Sequence, residues 1–204
     1  MRVLVVFNHP YEGSFCNALL NSVMNGLTSA NHDIDLIHLD KDNFDPVMRA
    51  KDLQAFALAR TEPEKAQQRL DPQVLQYKQR IEQADHIVFI FPVWWELMPA
   101  LMKGFIDKVI FPGIAYQYKD TGLGMYSLLD NLKGVTMITT MNTPSFAYRL
   151  LFGNAIKKAM LLGTFWKIGV KNRKWINYAQ VKPASDKKRS RWLNELESHF
   201  SLIK

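Results

Sequence analysis

Five apolar runs, each too short for a buried helix, recur along the chain, and helical periodicity fills most of the spans between them. They are Arg2 to Asn8 (RVLVVFN), Ile34 to Leu39, His86 to Phe91 (HIVFIF), Val135 to Thr140 and Trp175 to Val181. A short continuous run rich in β-branched and aromatic residues fits a strand buried on both faces. Between the runs, Ser14 stands as an N-cap before Phe15, Ala18, Leu19, Ser22, Val23 and Leu27, an amphipathic helical series. Pro63 and Pro72 suit the first turns of helices, and the second continues through Val74, Leu75, Tyr77, Ile81 and Ala84. Pro99 opens a helix to Val109. Residues 146–167 read as largely helical, interrupted near Gly153 and Gly163, and Ser185 to Phe200 as a closing amphipathic helix. Strands alternating with helices require a parallel sheet covered on both faces. A length of 204 residues falls short of the ~250 typical of an eight-unit barrel. The expected fold is therefore α/β, a doubly wound five-stranded parallel sheet, in a single domain over residues 1–204.

Composition narrows the function classes. The single cysteine, Cys16, excludes an internal disulfide framework and a cysteine-based zinc site, and fits a reducing, cytoplasmic setting. No signal-peptide core or run of ~20 apolar residues is present. The net charge of +7 is uneven. Residues 1–148 hold 13 basic and 16 acidic side chains, whereas residues 149–204 hold 13 basic and 3 acidic. Such a tail marks either an anionic partner or a solvated basic face. It lacks the interleaved aromatics of a nucleic-acid surface.

In a doubly wound sheet, ligands sit beyond the carboxyl ends of the strands. That geometry singles out the loops after the first, third and fourth strands: His9 to Asn17, Pro92 to Met98 and Thr139 to Tyr148. The first has neither a Gly-x-Gly-x-x-Gly fingerprint nor a Walker lysine loop. Gly13-Ser14-Phe15 nevertheless enters a helix whose free N–H groups attract an anion, so Ser14 is either a phosphate contact or an ordinary cap. The second, Val93-Trp94-Trp95, is either a flat aromatic wall or a buried cluster. The third, Thr139-Thr140-Met141-Asn142, offers hydrogen-bonding groups for a heteroaromatic edge, or forms a plain turn. Residues 113–133, polar and glycine-containing, read as a working loop rather than a core element. Metal-ligand spacing, a nucleophile elbow and paired carboxylates are all absent, which favours a cofactor that brings its own reactivity.

Together these motifs resemble those of the flavodoxin-like NAD(P)H:quinone oxidoreductase family. The resemblance rests on His9-Pro10 through Ser14-Phe15 with Ala18-Leu19, on Asn43-Phe44-Asp45-Pro46-Val47, and on Ile138-Thr139-Thr140. Its strongest part is Phe91-Pro92, Trp95, Pro99-Ala100, Lys103-Gly104 and Ala115-Tyr116. It implies a flavodoxin-like sheet of order 2-1-3-4-5, a bound flavin (FAD, alternatively FMN), a homodimer, and NAD(P)H as co-substrate. His9, Ser14, Phe15 and Cys16 would contact the phosphates. Pro92, Val93, Trp94 and Trp95 would line the flavin ring, with Thr139, Thr140 and Asn142 at its polar edge. The implied reaction is ping-pong, a hydride passing from NAD(P)H to the flavin and then to a quinone or similar acceptor. Met141 and Asn142 replace a Gly-Gly pair of the family. The resemblance also implies a tyrosine paired with a downstream histidine: Tyr148 would stand for that tyrosine as the catalytic proton donor, while no histidine follows before His199. The alternative implied by the family is a flavin-binding ancillary subunit of a potassium-efflux transporter, with peripheral contact to that transporter or its membrane. No nucleic-acid partner is expected.

Overall fold

Strand β1 (Arg2–Phe7) is apolar and buried in every residue after its first, because it is flanked by strands on both edges and helices on both faces. The structure, a computed structural model, describes residues 1–121 and 123–203. After β1 come α1 (Phe15–Ser29), β2 (Asp33–His38), α2 (Ala50–Leu58), α3 (Pro63–Gln67), α4 (Pro72–Glu82) and β3 (His86–Pro92). Then follow α5 (Ala100–Val109), β4 (Tyr116–Tyr118), β5 (Met125–Ser127), β6 (Gly134–Met141), α6 (Ser145–Leu151), a π-helix (Lys157–Trp166), β7 (Asn172–Ala179) and α7 (Asp186–Ser201). The main sheet is wholly parallel in the order β2-β1-β3-β6-β7, which is 2-1-3-4-5 counted over its own strands.

Strand alternation divides the core in two. Val3, Val5, Phe7, Val88, Ile90 and Ile138 face α1 and α7. Leu4, Val6, Ile87, Phe89, Phe91, Val135 and Met137 face α4, α5 and the π-helix. Among the described residues no helix is long and apolar enough to cross a membrane.

Three features of the fold depart from the sequence expectation. Residues 113–133 are not simply a working loop: β4 and β5 pair antiparallel there, and Ile114, Ala115, Tyr116 and Leu129 are buried in the core. Gly153 does break the helical stretch, at φ 59, just past the end of α6. Gly163 does not; it lies inside the π-helix, with no left-handed backbone to force a break. The last strand also begins three residues early, at Asn172, because pairing with β6 carries its exposed polar end.

Helix α5 holds the Asn43–Pro46 loop by two residues one turn apart. At Gly104 a Cβ would lie 2.3 Å from the Cα of Pro46, so the loop backbone rests directly on the helix. Lys108, almost fully buried, donates from Nζ to Asp71 Oδ2 (2.9 Å) and to the Asp45 carbonyl (3.2 Å). Lys108 and Lys51 hold the Asp71 carboxyl below its usual range. A buried ammonium is tolerated only when paired and hydrogen-bonded in this way.

Gly104→Ala is expected to destabilise the protein by about 1–3 kcal/mol, since the obstructing atoms are backbone; a lowered urea midpoint with unchanged slope checks it. His86 supplies a second expectation. Its ring is buried, its Nε2 lies 2.9 Å from Thr136 Oγ1, and burial pushes its pKa from 6.5 to about 4. The unfolded chain binds this proton near 6.5 and the folded chain only near 4, so stability is lost as pH falls through that window. His86→Gln should lose less stability than the parent between about pH 7 and pH 5, read from urea curves at each pH.

Candidate functional site

The crevice opens where β1 and β3 send their following helices, α1 and α5, to opposite faces of the sheet. Asn8 N–H donates to the Ile90 carbonyl (3.1 Å) beyond the end of β1, and Val93 N–H donates to the Thr140 carbonyl (2.8 Å) beyond β3. Pro92 lies between these rungs on the edge facing β1, past the point where β1 has ended. A residue without an N–H is tolerated there because no ladder partner remains.

The resulting cleft holds about 330 Å3. His9, Ser14, Phe15 and Cys16 line it from the first loop, Pro92, Val93 and Trp94 from the second, and Thr140, Met141 and Asn142 from the third. Val181 and Lys182, beyond β7, complete the wall.

The first loop is a donor set. Ser14 caps α1, its Oγ accepting the Asn17 N–H (3.2 Å). The backbone N–H groups of Phe15 and Cys16 find no acceptor among the described residues, as at any helix start, and they carry the positive end of the helix dipole. His9 Nδ1 accepts the Tyr11 N–H (3.1 Å), which places the proton of the neutral ring on Nε2. Partial burial holds the His9 pKa below its ordinary value. Cys16 is not a nucleophile: its Sγ packs 3.2 Å from Thr140 Oγ1, and burial pushes the thiol up to about 11.

The second loop folds back in two residues. Trp94 N–H donates to the Leu97 carbonyl (2.9 Å) and Leu97 N–H to the Trp94 carbonyl (3.1 Å). Trp95 (φ 48) and Glu96 (φ 64) both occupy the left-handed region, the geometry of a turn that normally takes Asn-Gly. Such a conformation costs an ordinary residue about 1–2 kcal/mol. One consequence is that only Trp94 reaches the cleft, edge-on to His9 with ring centroids 6.1 Å apart. Trp95 is not a wall residue; the turn swings it outward, 97% exposed.

The third loop corrects the threonine pair. Successive strand residues face opposite ways, so Thr140 faces the cleft and Thr139 does not. Thr139 is fully buried, its Oγ1 donating to Asn177 Oδ1 (2.9 Å) and accepting from Trp175 Nε1 (2.8 Å). Asn142 Oδ1 accepts the Lys182 N–H (3.0 Å), which anchors the wall beyond β7. Tyr148 is not brought to the cleft either. Its hydroxyl is fully buried, donates to the Glu96 carbonyl (2.7 Å) and accepts the Ile156 N–H (2.8 Å). Burial raises its pKa. Val181 and Lys182 were missed from the sequence; Met141 was named there only as part of the third loop. The rule about carboxyl ends applies equally to the last strand, and would have found Val181 and Lys182.

Other concavities carry less. One, about 900 Å3, is lined by α7 and its cap alone and is the flank of one helix. A second, about 310 Å3, lies among Phe111, Tyr116, Tyr118 and Ile168 and shares no residue with the cleft. The basic run on α7 is partly engaged at home: Lys188 lies over Trp192 (4.9 Å), Arg189 bonds the Lys182 carbonyl (3.3 Å), and Arg191 faces Glu195 (3.6 Å). Among the described residues no cluster of three or more His, Cys, Asp or Glu is placed to hold a metal ion.

Comparison with known proteins agrees with this architecture. A family model described as flavodoxin-like fold matches residues 1–200. The chain is 29% identical over 157 residues to NAD(P)H dehydrogenase (quinone) 1 of Cavia porcellus, covering 71% of this chain and 54% of that protein. The chain thus spans about half the length of that relative. It is 27% identical over 190 residues to an uncharacterized NAD(P)H oxidoreductase of Haemophilus influenzae, covering 93% of this chain and 89% of the other. The crystal structure of Smu.1420 from Streptococcus mutans superposes with a TM-score of 0.85 at 29% identity, over the whole of both chains.

The state of Cys16 gives a direct check on this geometry. An aromatic disulfide reagent at about pH 8 should leave the native thiol unmodified and titrate it fully after denaturation, because the thiolate is both scarce and inaccessible when folded.

Proposed function

The chain belongs to the flavodoxin-like-fold family, and from that premise we propose that it is a flavin-dependent NAD(P)H oxidoreductase passing reducing equivalents to a quinone or similar acceptor. The observation that carries this reading is the cleft's mixed lining. The Phe15 and Cys16 N–H groups, the His9 Nε2 proton and Lys182 supply donors and positive charge. Pro92, Val93 and Trp94 supply an apolar, flat surface, with the Thr140 hydroxyl and Asn142 amide beside it. A flavin nucleotide asks for both, donors for its anionic phosphate and a flat wall for its planar heteroaromatic ring. FAD is the proposed cofactor and FMN its alternative. Bound flavin would supply the two-electron chemistry that these side chains lack.

The chain's own residues then bind and orient. The α1 terminus and His9 hold the phosphate, Trp94 and Val93 fix the ring plane, and Thr140 and Asn142 set which ring edge is hydrogen-bonded. NAD(P)H and the acceptor would occupy the open side in turn, giving ping-pong kinetics. A homodimer is part of the proposal: Phe146, Leu150 and Leu151 on α6, all more than two-thirds exposed, form an apolar surface that a second copy would cover.

Purified protein is expected to be yellow and to oxidise NAD(P)H with a quinone, with parallel double-reciprocal lines; protein that takes up neither FAD nor FMN would overturn the reading. The mass of the cofactor released by denaturation distinguishes the two flavins. Ser14→Asp tests the phosphate end without unfolding the helix, since Asp caps as well as Ser. Its charge should weaken flavin binding about a hundredfold at unchanged thermal stability.

A further inference from the structure

The Trp94–Leu97 turn is held against its own sequence. Trp95 and Glu96, neither of them glycine or asparagine, sit side by side at positive φ, where tight two-residue turns ordinarily place Asn-Gly. A conformation that the local residues oppose persists only when the surroundings over-determine it. Three contacts do so. Tyr148 Oη donates to the Glu96 carbonyl at 2.7 Å. The Ile156 N–H fixes that same hydroxyl from behind at 2.8 Å. Thr143 Oγ1 donates to Glu96 Oε1 at 3.2 Å. The Tyr148 ring is in turn set between Phe152 and Trp175, with centroids 6.1 and 6.2 Å away. Trp94, the first residue of the turn, is the aromatic wall of the cleft.

We propose that Tyr148 is a positioning residue, whose hydroxyl clamps the left-handed Trp95–Glu96 backbone and thereby sets Trp94 at the angle a planar ligand requires. The proposal rests on the flavin reading for the identity of that ligand, though not for the clamp itself. A role as proton donor to substrate is a poor match to the geometry. The hydroxyl proton is committed to a backbone carbonyl, the oxygen already accepts an N–H, and the side chain lies outside the cleft.

The test compares the parent, Tyr148→Phe, Glu96→Gly and the double variant. Glycine at 96 keeps the carbonyl and relieves that residue's share of the strain, while giving up the Thr143 contact to the Glu96 carboxylate; it does nothing for the Ile156 N–H that phenylalanine leaves unpaired. Tyr148→Phe is expected to weaken FMN and FAD binding about tenfold, the factor that loss of one buried hydrogen bond predicts. The double variant should recover most of that affinity without recovering thermal stability. The pH profile of kcat/KM should keep both of its limbs in Tyr148→Phe. Without any ligand, chymotrypsin cleavage at Trp94 and Trp95 should rise in Tyr148→Phe and fall again in the double variant. Parent-like flavin affinity and cleavage in Tyr148→Phe would overturn the proposal, as would a lost pH limb at unchanged affinity. If even the parent binds no flavin, the functional reading fails and the cleavage series alone decides the clamp. Should Tyr148→Phe not fold, Thr143→Val removes a second tie to the same turn and should shift affinity and cleavage in the same direction; no shift in either would count against the clamp.

Discussion

Everything at the cleft depends on where the β1–β3 ladder stops. The Asn8 N–H is its last rung, and past that point the two chains part to opposite faces of the sheet. Pro92 stands at the parting, where its missing N–H costs no ladder bond. One residue later, the Val93 N–H rejoins the sheet on the other side by bonding the Thr140 carbonyl. The crevice is therefore bounded by backbone hydrogen bonds on the β6 edge and by a helix terminus on the β1 edge. A fully buried β3 makes that boundary rigid, because a one-residue slip would turn every side chain to the wrong face.

Around this apolar frame, the connecting loops are placed by a few buried polar groups. Lys108 ties the Asp45 carbonyl and the Asp71 carboxylate to α5, while Gly104 lets the same loop backbone lie against the helix. Tyr148 ties the Glu96 carbonyl to the start of the π-helix through Ile156. Asn142 ties the segment beyond β7 to the end of β6. In each case a side chain reaches a backbone group of a loop that has no ladder of its own. Hydrophobic burial is non-directional and would leave such loops free to choose among conformations. A short hydrogen bond to a buried group has direction, and leaving it unmade costs about 1–3 kcal/mol.

These two kinds of constraint differ in how far sequence reveals them. The sheet was legible because continuous apolar runs and helical periodicity are local signals, and its parallel direction follows from their alternation; its strand order came only with the family resemblance. The cleft loops were legible as places, since the carboxyl-end rule needs only the strands. Individual roles were less so. The Thr139-Thr140 pair reads as two equivalent hydroxyls, yet strand alternation sends one into the core, where Trp175 and Asn177 engage it. Trp94 and Trp95 read as one aromatic pair, but two left-handed residues split them between cleft and solvent. No propensity rule places Trp-Glu in such a turn, so nothing in the local sequence announces it. The β4–β5 ribbon was missed because its strands are three residues each and carry polar groups typical of a loop.

The same distinction bears on chemistry. The titratable groups nearest the cleft are poorly suited to moving protons for a reaction: the Cys16 thiol is pushed up to about 11, and the Tyr148 hydroxyl is buried and doubly engaged. His9 is the exception, half-buried with a free Nε2, but its neighbours at the α1 terminus are N–H donors that favour an anion over a transferable proton. A cleft whose polar groups are mostly fixed donors contributes by placement. On the proposed reading it would select what binds and set the plane in which it lies. The strain stored at Trp95 and Glu96 then has a physical rationale. A relaxed turn would let Trp94 sample several orientations, whereas a turn held against its preference by the Tyr148 and Thr143 hydroxyls has a single orientation to offer.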